Sequence, residues 1–423
     1  MIISKKFPRY EKFEPKVPVY CVTPGEGRIL HRFFDTSPFS PSGRYMALFR
    51  LPDETDIPKP GDKGEIVIVD LQEGIEKVVA ESHGFEDQLG ANINWGENDD
   101  LVIYNDVDPQ TWEYYGIKLN WKTGEKTRLE IGVYHVSPDG LEACTGNPSC
   151  KWRTQPGYGV LIPEELTKTV SIISEDEGLF ITDTRTGKAK LLLSMKEIFE
   201  TCYSKEYIEE KKDGECYLFH SKYSPSGKKI MFSTRWIPKE LHNCKSAIGK
   251  PEIRFIIFTC NRDGSNLQAS IPEEHWINRG HHTTWHPSEE LLTMNLVKDW
   301  GKMLFATATL DGKNIEPMFW DVTGSGHPTV HPNGKFLITD VYAHEELAYG
   351  DGTAPLRLVY LESGDEEELL RINVRTPYQS KNMALRVDPH PAWDRTNRYV
   401  AFNAYEGGTR RVYVMDMEKY INR

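Results

Sequence analysis

Pro328–Thr339 reads PTVHPNGKFLIT: an apolar residue, a turn bearing proline and glycine, then a run of strand formers. The same plan returns as PFSPSGRYMALF (38–49), INWGENDDLVIY (93–104), YHVSPDGLEAC (134–144), SKYSPSGKKIMF (221–232), TTWHPSEELLTM (283–294) and PAWDRTNRYVAF (391–402). Each copy is followed by an alternating strand that closes on a polar turn: 65–74, 115–125, 178–188, 254–264, 303–313, 356–366 and 410–420. β-Branched and aromatic runs bounded by Asp-Gly, Thr-Gly and Ser-Gly turns mark antiparallel strands. Seven two-part units of about 40 to 60 residues match the blades of a β-propeller. The sequence therefore predicts an all-β, seven-bladed β-propeller with residues 1–423 as one domain; a pair of sandwiches would not predict a repeated two-part unit. The final strand, RRVYVMDM, leaves its blade one strand short, so PVYCVTPG (18–25) is expected to pair there and close the ring, which removes an exposed sheet edge.

The repeat also works as a ruler. Aligned on the residue before each turn (Phe39, Trp95, Val136, Tyr223, Trp285, Val330, Trp393), the position three earlier holds Thr36, Asn92, Val133, His220, His282, His327 and His390. The first strand of every propeller blade lines the central channel, so four histidines at one repeat position are expected to converge there. His282, His327 and His390 come from neighbouring units and are candidate ligands for one divalent ion, because imidazole suits Zn, Mn or Fe. Asp388 in VDPHP adds a carboxylate, as a ligand or as a group that orients an imidazole. The competing explanation is a set of histidines that only hydrogen-bonds a polar channel. His281, His286 and His331 fall in the turns or at their edges and read as structural.

Composition narrows the function. A chain of 423 residues with 39% hydrophobic and 11% aromatic content can bury a large core, and a net charge of −12 argues against a general nucleic-acid binder, which needs a basic surface. A local basic pocket for an anionic small substrate remains compatible with that charge. Seven cysteines stand singly, with no C-x-x-C pair, as expected of a reducing compartment. No stretch approaches the roughly 18 apolar residues of a membrane span, and the N-terminus lacks an apolar signal core, so a cytoplasmic location is expected, or a periplasmic or secreted one if a leader has been removed. There is no G-x-S-x-G, H-E-x-x-H, Walker or G-x-G-x-x-G motif, which disfavours a serine hydrolase, a zincin and a nucleotide enzyme.

Two excursions break the even spacing. One holds the helix-like Ser194–Lys212, with Ser194 as its expected N-cap. The other, RWIPKELHNCKSAIGKPEIR (235–254), is rich in basic residues and carries His242. Arg235, Arg254 and His242, with His31 and Arg32 of RILHRFF, are expected to bring positive charge to one rim. That suits a carboxylate, which a guanidinium grips bidentately.

PGEGRILHRFFDTSPFSPSGRYMAL (24–48), HHTTWHPSEELL (281–292), GSGHPTVHPNGKFLITD (324–340) and RVDPHPAWDRTNRYVAFNAYEGGTRRVYVMDM (386–417) resemble the oligogalacturonate lyases, seven-bladed propeller polysaccharide lyases, and more loosely the TolB-type propellers. The resemblance implies a divalent ion, Mn first with Ca or Zn as alternatives, held at positions matching His327 and His390 with His282 nearby. It also implies a histidine base falling near His242, with His220 as the alternative, and an arginine best matched by Arg254. The family's closing motif has histidines two apart around a proline, whereas this chain has Asp388-Pro389-His390. A carboxylate in place of an imidazole hardens the site toward Mn or Ca.

The expected activity is β-elimination on an acidic, uronic-acid-containing oligosaccharide, by a monomer or homo-oligomer that binds neither nucleic acid nor membrane. The rival is a non-catalytic, TolB-like propeller that binds a protein or glycan and holds no tight metal. Glycoside hydrolysis would need paired carboxylates in the channel, and only Asp388 lies beside the ring positions.

Overall fold

The computed structural model describes residues 3–151, 155, 157–242, 244, 250–380 and 382–421. They form seven four-stranded antiparallel sheets, the blades of a β-propeller. Blade four is typical: Glu215–Tyr223 innermost, then Lys229–Ile237, Arg254–Asn261 and Gln268–Ile271 outermost. The alternating runs after each turn are the third strands. The fourth, such as Ile75–Ser82 (IEKVVAES), is solvated along much of its length and carries little apolar pattern. In blade seven the outer strand is Val19–Cys21, which pairs antiparallel with Thr409–Asp416 in the register Val19↔Met415 and Cys21↔Tyr413. The core lies between blades, where facing sheets bury rows such as Phe336, Ile338, Leu356 and Leu358 of blade six against Phe402 and Met415 of blade seven.

The innermost strands are irregular, and the irregularity builds the site. Pairing slips between Phe219 and Lys222 in blade four and between His281 and Thr284 in blade five. Asn92, His220, His282 and His390 all have left-handed backbones, with φ of 50°, 53°, 60° and 52°. These are the aligned positions of blades two, four, five and seven, so a left-handed kink recurs at one place in the repeat. A bulge leaves its extra residue unpaired and re-aims the side chain, and the strain, about 1–3 kcal/mol per non-glycine residue, is the kind that gathers at functional sites. In blade six the kink falls one residue earlier, on Gly326 (φ 61°), where a Cβ would sit 2.1 Å from the Asp340 carbonyl oxygen.

Blade one departs furthest. Ile29–Leu30 pairs with Phe49 and Arg50, Phe39 bridges to Met46, and residues 31–37 leave the sheet between these two anchor points. This strap, HRFFDTS, crosses the channel.

The insertion after blade three forms two helices, Met195–Cys202 and Lys205–Lys211, rather than one. Ser194 caps the first through a capping box with Glu197. Ser204 caps the second by accepting from Tyr207 N, and the break stacks Tyr203 on Tyr207 at 4.2 Å.

Candidate functional site

The strap sets the layout of the channel. Phe33 and Phe34 are almost wholly buried in its centre, and the Phe33 ring touches His220, His282, His327 and His390 at centroid distances of 5.2, 6.1, 5.7 and 4.7 Å. The histidines at the aligned positions of blades four to seven thus share one tier around one phenyl ring. At one end of the strap His31 lies beside His390, their rings 6.4 Å apart, with its Nε2 3.3 Å from the Pro389 carbonyl. Arg32 turns the other way, bonding Asn92 and Thr36 and covering the Tyr134 ring at 4.4 Å. Asp35 forms a buried ion pair with Lys222 of blade four.

Within this tier His327, Asp388 and His390 bring one donor atom each to within 4.8 Å of one another, and all three are buried. His327 Nε2 and both ring nitrogens of His390 have no hydrogen-bond partner. Buried polar atoms are rarely left unsatisfied, so these orphaned nitrogens, facing a carboxylate, fit a metal. Asp388 is held by Arg386, whose Nε donates to Oδ2 at 2.9 Å. His282 stacks on His327 at 3.8 Å but lies outside the three-donor set: its Nδ1 is 2.7 Å from the Gly326 carbonyl and its Nε2 is 3.3 Å from the Tyr342 hydroxyl. His281 joins this tier with its Nδ1 2.8 Å from that of His282, whereas His286 serves its own turn and His331 serves its turn and reaches the Asn397 carbonyl in the turn of blade seven at 2.9 Å.

Asp340 organises the set and is invisible to the repeat alignment, because it follows its strand, Phe336–Thr339, instead of preceding a turn. It accepts from His327 Nδ1 and from the backbone N–H groups of His327 (2.6 Å) and His390 (3.2 Å). Burial pushes its carboxyl up, but the His327 ring and these N–H bonds outweigh it and hold it below the usual carboxylate range. Desolvation, reinforced by neighbouring imidazoles, drives His282 and His390 well below the ordinary histidine value, and desolvation takes His281 down to about 3. Neutral imidazoles are what a metal requires.

The other side of the tier is cationic. Desolvation lowers His220 far below its ordinary pKa, and Lys222, Arg235, Lys151 and Arg32 push it further. Its Nε2 is unpartnered, as are Nε and Nη1 of Arg235 and Nη2 of Arg32. The Arg235 guanidinium lies 4.6 Å over Phe219 and the Lys151 ammonium 4.7 Å over the same ring. Lys151 is almost fully buried, and no repeat position points to it.

The remaining expected residues are dispersed. In blade four Arg235 pairs across with Tyr217 and Phe255, whereas Arg254 pairs with Trp236 and so stands on the opposite face of the sheet. The Arg254 guanidinium donates to the Pro251 carbonyl at 2.8 Å. His242 ends the short 3-10 turn Lys239–Leu241, with its Nε2 buried and unpartnered, beside residues 243 and 245–249, which lie outside the described residues.

No protein-family model matches the chain, and no curated protein matches it by sequence. Solved structures do. An oligogalacturonate lyase in complex with manganese superposes with a TM-score of 0.63 at 13% identity, over 99% of this chain and 97% of that one. The oligogalacturonate lyase of Vibrio parahaemolyticus gives 0.63 at 14% identity over 99% and 98%. TolB from Acinetobacter baumannii reaches 0.40 at 11% identity over 89% and 81%. The chain has the seven-bladed fold of the oligogalacturonate lyases over its whole length.

Proposed function

We propose that the protein is a metal-dependent lyase that cleaves acidic, uronic-acid-containing oligosaccharides by β-elimination. The observation that carries this reading is the pairing, around Phe33, of the three-donor set His327, Asp388 and His390 with a cationic group centred on His220. A divalent ion, Mn by preference for a mixed imidazole and carboxylate set, would be held by His327 Nε2, His390 and Asp388, and would supply electrophilic stabilisation of charge on the substrate carboxylate. Arg235 and Lys151 complement that carboxylate with donors already desolvated and in place. His220 presents an unprotonated Nε2 for the proton on the carbon beside the carboxylate. A bound carboxylate offsets the surrounding cations and raises the imidazole toward the working range, so base strength arrives with the substrate. His242 is the second candidate base.

The test is ultraviolet absorbance from the unsaturated uronate product, on incubation with oligogalacturonates and other uronate oligomers, with and without EDTA. An EDTA-sensitive rise is expected. No rise from metal-replete protein on any uronate oligomer overturns the reading, and elemental analysis showing no retained metal would favour a non-catalytic binding propeller.

A further inference from the structure

The channel holds a chamber away from the histidine tier. Three residues beyond the histidine tier, about 10 Å along each strand, the residues that precede the turns surround a cavity of about 540 Å³. None of His220, His282, His327 and His390 lines it; Trp95, Tyr223, Trp285 and Trp393 do, with Phe34 and Asp35 of the strap. The volume is that of a small-ligand site.

Three polar atoms in its lining are buried without a partner: Oδ1 of Asp35, Oγ1 of Thr329 and Nε1 of Trp393. The Asp35 side chain is only 6% exposed, and its other oxygen is committed to Lys222 and, at 3.4 Å, to the Thr284 hydroxyl. The indole N–H groups of Trp95 and Trp285 are already spent on the carbonyls of Pro38 and Lys222. Orphaned groups of this kind cost about 1–3 kcal/mol each when nothing meets them. Charge on this tier is nearly balanced: Lys222 cancels Asp35, and the Asp394 carboxylate is occupied by the N–H groups of Thr396, Arg398 and Tyr399. Arg395 lines the cavity from the exposed side and makes no ion pair among the described residues.

We propose that this chamber binds a single acidic sugar ring, with indole walls against its C–H face, Asp35 and Thr329 on its hydroxyls, and Arg395 on its carboxylate. An acceptor and two donors in residues of one aromatic-walled cavity match a polyhydroxylated ring, and a guanidinium at the rim selects one carrying an anion. The site needs neither the metal nor the four histidines of the tier; the one histidine in its lining, His135, accepts from the Tyr223 N–H, and the site stands whether or not the protein is a lyase.

The experiment uses EDTA-treated full-length protein carrying His390→Ala, which disables the histidine tier. Galacturonate, a monomer with no glycosidic bond to cleave, is titrated against it by calorimetry and by fluorescence of the cavity tryptophans. Saturable one-to-one binding is expected. Adding Arg395→Gln should weaken it by about tenfold, the order of one charge-assisted hydrogen bond, and Thr329→Val should weaken it while the melting temperature of the ligand-free protein stays the same or rises, since an orphaned hydroxyl is removed. Galactose should bind the parent about as weakly as galacturonate binds the Arg395→Gln protein. Absence of saturable binding, or binding indifferent to both substitutions and to the carboxylate, overturns the proposal. The lyase assay is read separately, so either reading can fail alone.

Discussion

Both carboxylate oxygens of Asp340 lie 2.9 Å from Nδ1 of His327. The pairing fixes the imidazole's tautomer, with the proton on Nδ1 and the Nε2 lone pair free, which is how second-layer carboxylates prepare histidine ligands. Asp340→Asn is therefore expected to lower manganese affinity by about 10- to 100-fold, measured by calorimetric titration of EDTA-stripped protein.

His327→Ala, His390→Ala and Asp388→Ala should each lose bound metal and EDTA-sensitive activity together. His282→Ala should keep its metal, because its nitrogens face Gly326 and Tyr342. Metal stoichiometry by plasma mass spectrometry on the four purified variants distinguishes these outcomes.

The metal-free protein should be acid-labile. Desolvation lowers His31 to about 4 and His135 to about 3, and takes His220, His282 and His390 well below the usual value. A histidine with a depressed folded-state pKa contributes stability that is complete above its unfolded value of about 6.5 and is lost as pH falls toward the folded value. The melting temperature is thus expected to fall steadily from pH 6.5 to pH 4, and His135→Gln should flatten part of that slope. A melting temperature constant over that range would contradict the assignment.

Gly326→Ala should destabilise the protein by about 3 kcal/mol or more, since it combines a left-handed backbone with a clash. The new Cβ would lie 2.1–2.5 Å from atoms of Asp340, so metal affinity should fall with stability. Chemical denaturation, followed by a metal titration of the folded fraction, measures both.

The repeat made the blade count legible, because turn residues and strand formers are local signals that recur at a fixed offset. It also placed His327 and His390 at equivalent positions, and the structure brings them together with Asp388. What it could not carry was anything lying off the repeat. Asp340 acts from the end of a second strand, and Lys151 from an insertion. Phe33 and Phe34 belong to a strap that leaves the sheet; the only trace of it is two adjacent aromatics between Arg32 and Asp35, where a strand would alternate. In sequence the basic stretch 235–254 is one unbroken excursion, yet Arg235 lies within the strand Lys229–Ile237 and Arg254 begins the next, so strand alternation sends them to opposite faces.

Phe33 and Phe34, almost without solvent exposure, stop the channel midway. Phe34 lines the aromatic chamber, whereas Phe33 touches all four histidines of the tier, so the strap is a partition between the two. A molecule seated in the aromatic chamber therefore meets one side of the strap and the metal-ligand candidates the other, with two phenyl rings between them.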